Sequence, residues 1–338
     1  MPSAEPGLRI AIAGATSLRG KELKEVLESS RFAAADLRLL DEEIVAGTLT
    51  EAGGEPTIVQ TIDEDSFAGA RIVFFAGSAG FTAKHAEAAL ASGATIIDMS
   101  GGLVTRADAR PWIPALDSVL PPPFHANRSA KDGRAYISPS APAQAAISLA
   151  AALNASGGRL HSMIFLQPVS ERGQAGIEEL ESQTVKLLSF QPIGQEVFDA
   201  QVAFNLLDRY GPESTDRLST DREVLAQVAS VYLEDRVMLP AVNLLQVPVF
   251  YSHGFMAHAE IPSPEKLEAT LASAGLKVVA DDEPAPTSIS VVGEPRPVIG
   301  GPEKDLNVEG AWWIWGAADN LRVAAVNAVA IAEKLFGS

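Results

Sequence analysis

No cysteine occurs anywhere in this chain of 338 residues. That absence excludes disulfides, thiolate metal sites and any cysteine nucleophile, and it fits any redox compartment. Long apolar runs are missing too. No stretch of about 18 apolar residues is present, so no transmembrane helix is expected. Basic residues are in the minority, with 26 Lys and Arg against 43 Asp and Glu and a formal net charge of −17. A general binder of phosphate backbones needs a basic surface, so neither a nucleic-acid nor a membrane partner is expected. Residues 1–7 lack the basic start and apolar run of a signal peptide, and a cytoplasmic location is the expectation. His85, His125, His161 and His258 show no metal spacing with carboxylates. They read as structural or surface residues, and no metal site is expected.

What is present is an apolar fraction of 47% on a length suited to two domains. Residues 8–13 form an apolar strand pattern, 14–20 a turn, and 21–29 a stretch of helical periodicity. Strand patterns recur at 37–40, 71–76 and 94–98, with a helical, alanine-rich stretch at 84–92 between the last two. Near-continuous apolar strands alternating with helices imply a doubly wound parallel sheet of Rossmann type. Five prolines between 111 and 123 break the pattern, and a helix with proline in its first turn follows at 138–153.

Beyond it the style changes. Long strand-like runs at 159–169 and 244–260 accompany helices at 176–188, 220–233 and 263–274 and short strands at 277–280 and 288–292. Residues 281–301, rich in Pro and Gly, are expected to be loop. A last helix at 321–336 is expected to return to the first domain. The division implied is residues 1–138 with 319–338 as a dinucleotide-binding domain, and 139–318 as an α+β domain of dimerisation and catalytic type.

The turn Gly14-Ala15-Thr16-Ser17-Leu18-Arg19-Gly20 has the spacing G-x-x-G-x-x-G with serine in the middle place. Such a turn brings backbone N–H groups against a pyrophosphate at a helix N-terminus. It also reads as a tight strand-to-helix turn without a ligand. Ser17 adds a Cβ where phosphate would press, although its hydroxyl offers a hydrogen bond. Asp41-Glu42-Glu43 ends the second strand, about where an acidic residue takes the ribose 2′-hydroxyl of NAD and repels a 2′-phosphate. The alternative is a solvated acidic loop. If a dinucleotide binds, NAD is expected over NADP, with binding weakened or absent.

Several ordered segments together resemble the aspartate-semialdehyde dehydrogenases. They are Ile12-Ala13-Gly14-Ala15-Thr16, Phe74-Phe75-Ala76-Gly77-Ser78, Ile96-Ile97-Asp98-Met99-Ser100, Gln167-Pro168-Val169-Ser170, Val247-Pro248-Val249-Phe250-Tyr251-Ser252-His253 and Asp319-Asn320-Leu321-Arg322. The resemblance spans nearly the whole chain. It implies a homodimer joined mainly through the second domains, a possible small-molecule ligand, and a role in amino-acid biosynthesis. Taken with the glycine turn and the acidic strand end, where the family typically shows small and basic residues that suit NADP, it leads to expected cofactor contacts at Gly14, Thr16, Ser17, Leu18, Gly20, Asp41, Gly77, Ser78 and Asn320.

The family's reaction uses a thiolate that attacks the aldehyde, a histidine that accepts its proton, hydride transfer to NADP, and phosphate that releases an acyl phosphate. By resemblance, Ser138-Pro139-Ser140-Ala141 stands at the Asn-Pro-Asn-Cys segment, so Ala141 holds the nucleophile's place. His253 is the retained histidine and Gln167 the retained glutamine. Gln246 stands where the substrate-carboxylate arginine belongs. Arg106 is the one arginine near the phosphate clamp, displaced by about two positions. In the region 220–233, where a lysine and a glutamate assist, Arg222 and Glu223 are the nearest residues.

Nucleophile, carboxylate clamp and phosphate clamp are all altered. The combination, and the Gln-x-Pro-Val-Phe-Tyr segment at 246–251, resembles a cysteine-lacking, non-catalytic branch. The reading is a nucleotide-binding dimeric pseudoenzyme. The alternative is an active NAD(P)-dependent oxidoreductase working on a semialdehyde or related substrate without a thiol. His253 also reads as a packed residue. A serine acyl-transfer role for Ser140 is a third possibility, and Trp312, Trp313 and Trp315 read either as a partner-binding edge or as core and interface packing.

Overall fold

The structure is a computed structural model that describes residues 7–42, 47, 49–52, 55–63, 65–122, 135–280 and 282–336. Glu43 and His125 lie outside the described residues. The chain divides into two compact units. The first comprises the described residues of Met1–Pro114, Pro122–Ser140 and Ala324–Ser338, and the second those of Ala115–Pro121 and Ala141–Val323. The short segment 115–121 thus joins the second unit, and the later crossing falls inside the last helix.

In the first unit, strand β1 (Arg9–Ala13) leads through the glycine turn into helix α1 (Leu18–Glu28) and strand β2 (Asp36–Asp41). A hairpin of β3 (Leu49–Ala52) and β4 (Glu55–Ile58) and the short β5 (Gln60–Thr61) follow. Then come β6 (Ile72–Phe75), α2 (Ala79–Ala91), β7 (Thr95–Asp98), β8 (Ala109–Pro111) and β9 (Ala135–Ile137). Seven strands form one parallel sheet in the order β5-β2-β1-β6-β7-β9-β8.

Alternate side chains along the strands serve opposite faces, and both are covered. Ile10 and Ile12 pack with Leu23 and Leu27 of α1 and with Ala325, Ala328 and Ile331 of the last helix. Ala11 and Ala13 pack with Val73, Phe75, Ala86 and Ala89 on the other side. Burial on both faces explains the unbroken apolar runs. The chain leaves β1 first toward β2 and later returns to β1's other side as β6. The switch in strand order therefore lies between β1 and β6, where an open α/β sheet forms its crevice.

The second unit begins with α3 (Ala141–Ala155), whose residues from Ala141 to Leu153 are all buried. A helix hydrophobic all round belongs in a core, and the polar members Gln144 and Ser148 are its exceptions. Next come β10 (Arg159–Gln167), α4 (Gly173–Leu188), α5 (Leu218–Leu233), β11 (Ala241–Gln246), β12 (His253–Glu260) and α6 (Pro264–Ser273). The unit closes with β13 (Lys277–Val278), β14 (Val298–Ile299), β15 (Glu303–Lys304) and β16 (Ala311–Ala318). The mixed sheet runs β11-β10-β12-β16-β14-β13, with β15 on β16. Helix α7 (Arg322–Phe336) is the last described element.

Two expectations fail. The run 244–260 is two strands, not one. Pro248 cannot donate to a ladder, and Ser252 takes φ +71, so the chain turns between β11 and β12. The strand expected at 288–292 is a succession of turns, and the pairing strand lies instead at Val298–Ile299. No helix among the described residues is long and apolar enough to cross a membrane.

Candidate functional site

The first unit holds a cleft of about 350 Å³ at the C-terminal ends of β1, β2 and β6, a size suited to a small ligand. Gly14, Thr16, Ser17, Asp41, Glu42, Gly77, Ser78, Gly80, Phe81 and Lys84 line it. Its floor depends on missing side chains. Gly14 sits at φ +86, and a Cβ there would stand 2.4 Å from the amide nitrogen of Gly77. A Cβ on Gly20 would meet the carbonyl oxygen of Gly14 at 2.3 Å. Two strand-to-helix turns can therefore touch backbone to backbone, with the start of α2 directed at the same cleft.

Ser17 explains its own presence. Its hydroxyl caps α1 by accepting from the Gly20 amide at 2.9 Å and donates to the Ala76 carbonyl at 2.9 Å. The serine staples the β1–α1 turn to the end of β6, and its proton goes to the protein. Asp41 is buried, and its Oδ2 accepts from the Thr16 amide at 2.9 Å and the Thr16 hydroxyl at 2.6 Å. Its Oδ1 accepts from the Glu42 amide at 2.9 Å, which leaves that oxygen room for a further donor. Lys84 stands 3.6 Å from Glu42 across the rim. Of the expected cofactor residues, Gly14, Thr16, Ser17, Asp41, Gly77 and Ser78 line the cleft. Leu18 and Gly20 form the first turn of α1 behind it.

Arg106 is committed elsewhere. It forks onto Asp108 through Nε and Nη2, both at 2.9 Å, and Nη1 binds Glu87. These carboxylates hold its pKa above the ordinary value and occupy the fork that a phosphate would need. Asp98, at the end of β7, is fully buried, and burial pushes its carboxyl up. It accepts from the amides of Ser100 and Leu103 and the Ser100 hydroxyl, and so shapes the loop after the strand. The Ser138 hydroxyl donates to the Ala324 carbonyl and accepts from Asn327, which ties β9 to α7.

In the second unit, strand register gathers the other candidates at one end of the strands of the mixed sheet. Gln167 pairs in register with Gln246, and His253 with Ala318, two residues before Asn320. Ala141 is fully buried and packs against Ala318 and Val323. Gln246 is also fully buried. Its amide donates to the carbonyls of Gln167 at 2.8 Å and Val247 at 3.1 Å, and its Oε1 accepts from the Tyr210 hydroxyl at 2.8 Å.

Gln167 donates to Asp221 at 3.0 Å and to Tyr210 at 3.3 Å. Arg172 binds the same Asp221 oxygen, donates to the Tyr210 hydroxyl at 3.2 Å, and stacks 5.1 Å over its ring. Burial works against the charge of Arg172, but Asp221 and Tyr210 hold its pKa above the ordinary value. Burial pushes Tyr210 up to about 12, so it is a neutral donor at neutral pH.

His253 is buried with Nδ1 3.9 Å from Glu171 Oε1. Asn320 donates to that oxygen at 3.0 Å and to Ser170 at 3.1 Å, and accepts from the Ser252 amide at 3.0 Å. Arg222 and Glu223 take no part in the cluster. Asp221 is the member of α5 that reaches it, and Arg222 binds the Asp208 carbonyl. Sequence reading missed Glu171, Arg172, Tyr210 and Asp221. The one local signal is the pair of opposite charges directly after Gln167-Pro168-Val169-Ser170. Among the described residues, no group of three or more His, Asp or Glu is placed to hold a metal ion.

A parallel doubly wound sheet with a glycine-lined switch-point cleft, joined to a mixed-sheet unit, is a dehydrogenase architecture of the dinucleotide-binding class. Residues 9–119 match the semialdehyde dehydrogenase NAD-binding domain and 151–323 the semialdehyde dehydrogenase dimerisation domain. The chain belongs to the semialdehyde dehydrogenase family. It is 30% identical to a USG-1 protein homolog of Azotobacter vinelandii, over 98% of each chain. It is 27% identical to aspartate-semialdehyde dehydrogenase 2 of Vibrio cholerae, over 96% of this chain and 97% of that one. The solved structure of a probable aspartate-semialdehyde dehydrogenase from Pseudomonas aeruginosa superposes with a TM-score of 0.84 at 27% identity, covering 97% and 98% of the two chains.

Proposed function

We propose that this chain is a nucleotide-binding, dimeric member of the family that does not perform phosphorylating oxidation of a semialdehyde. The observation that carries the reading is Ala141, a methyl group buried against Ala318 and Val323 in a chain without cysteine. A methyl group forms no thiohemiacetal, so the covalent route has no first step. The neutral, fully bonded Gln246 and the doubly paired Arg106 support the same reading, since neither offers a free guanidinium to carboxylate or phosphate. An assay with aspartate semialdehyde, phosphate and either dinucleotide tests it, and turnover that rises with phosphate overturns it.

The cleft residues fit a dinucleotide, because bare glycine backbone meets the start of α2 beside an acidic strand end. Such a cofactor would supply a hydride acceptor. Asp41 would take a ribose hydroxyl on Oδ1, and Asp41 with Glu42 would repel a 2′-phosphate, so NAD is the preferred form. The Ser17 hydroxyl, held by Ala76 and Gly20, adds no donor, and affinity is modest. Dimerisation would use the open face of the mixed sheet, where Ile164, Met256 and Trp313 are 45%, 44% and 40% exposed.

A second reading keeps an active oxidoreductase. It rests on His253 with Glu171 beside its Nδ1, a pair able to accept a proton from an alcohol while hydride departs. Steady reduction of NAD by a small alcohol or aldehyde, lost in His253→Gln, would favour it.

A further inference from the structure

The Arg172 side chain is 9% exposed, whereas that of its partner Asp221 is 29% exposed. The cation is thus the inner member of the pair and the carboxylate the outer one. Around the guanidinium stand the Tyr210 ring at 5.1 Å and its hydroxyl at 3.2 Å, and Gln167 directs its amide to the same Asp221 oxygen that Arg172 binds. Asp216 lies 3.8 Å from Arg172 with its side chain 49% exposed, and provides weak additional negative charge.

A guanidinium, an amide N–H and an aromatic wall converging on one carboxylate are the parts of a carboxylate receptor. Here the carboxylate is supplied by α5 of the same chain. The arrangement is also held from behind, because Tyr210 donates to the buried Gln246, which in turn is fixed to the Gln167 and Val247 carbonyls. The receptor side is tied into this hydrogen-bonded network, and the occupant is one helical side chain near the start of α5.

We propose that Arg172 and Gln167, framed by Tyr210, form a binding site for a small carboxylate that is filled intramolecularly by Asp221. The native chain is closed to external carboxylates at this point, and removing the Asp221 side chain opens it. This goes beyond the proposed function and does not depend on whether a dinucleotide binds.

The test is chemical rescue. Asp221→Ala leaves Arg172 with Tyr210 and the outlying Asp216, and its melting temperature is followed against acetate, with chloride at matched ionic strength as control. The expected result is a rise of about 2–4 °C at ten times the acetate dissociation constant, with no acetate-specific rise in the native protein. In Asp221→Ala with Arg172→Gln the response disappears. Asp221→Ser serves in the same series should the alanine variant fail to fold. An acetate response equal to that of chloride in folded single variants would overturn the proposal. So would an undiminished acetate response after Arg172→Gln.

Discussion

The Tyr210 hydroxyl donates to Gln246 Oε1 at 2.8 Å, and through the same oxygen Tyr210 accepts from Arg172 at 3.2 Å. Gln246, which by resemblance stands at the substrate-arginine position, is thereby locked into a network that already contains one guanidinium. Restoring the arginine is therefore expected to damage the protein. Gln246→Arg buries a second cation against the same hydroxyl, and the expected loss is about 3–5 kcal/mol in urea unfolding. A variant as stable as the parent would show that the network yields easily.

Ala141→Cys places a thiol where, by resemblance, the family's nucleophile stands, and changes little else. The site is fully buried, so the extra sulfur is expected to cost about 1–3 kcal/mol by overpacking. Phosphate-dependent aldehyde oxidation should stay absent, because Gln246 and the paired Arg106 still lack free guanidinium groups. Assay of the purified variant checks this, and recovered turnover would place the whole defect at one atom.

On the proposed reading, Asp41 sets the dinucleotide preference. Asp41→Asn removes the charge at the strand end and is expected to weaken NAD binding by about 1.5–3 kcal/mol relative to NADP. Calorimetric titration with both dinucleotides reads the ratio. An unchanged ratio would mean that Asp41 serves only Thr16 and the turn.

Strand register puts Ile164 opposite Met256 and Met256 opposite Trp315, while His258 faces Trp313 on the same side of the sheet. Met256→Arg places a charge in the middle of that face. Sedimentation is expected to show a dimer for the native protein and a monomer for the variant. A dimer that survives the substitution would locate the interface elsewhere.

Acid should loosen the β15–β16 edge. Asp305 accepts from the amides of Asn307 and Val308 and from Trp313 Nε1, and these bonds hold its carboxyl below the ordinary 3.8. A carboxylate with a depressed folded-state pKa stabilises above its unfolded value and loses that contribution as pH falls through the folded one. Trp313 fluorescence is therefore expected to change below pH 3.8. Asp305→Asn should flatten the acid dependence of stability, and an identical profile in that variant would contradict the assignment.

The strand, glycine turn and helix at 8–29 were legible because periodicity and turn chemistry agree over a short stretch. The place of Asp41 at the cleft was legible from its distance to the glycines. The capping role of Ser17 was not, because it depends on the Ala76 carbonyl in another strand. The Arg172–Tyr210–Asp221 cluster escaped for a similar reason. Its members come from a turn, a loop and a helix, and only the folded chain gathers them. At 244–260 an apolar run concealed a chain reversal whose one local marker, Pro248, reads equally as an edge-strand residue.

The most direct test of the account is spectrophotometric. The purified native protein is supplied with aspartate semialdehyde, phosphate and NAD or NADP, and reduced dinucleotide is followed at 340 nm alongside an active family member. No turnover is expected with either dinucleotide at any phosphate concentration. Reduction that depends on both semialdehyde and phosphate would contradict it, and would require a nucleophile other than the one Ala141 replaces.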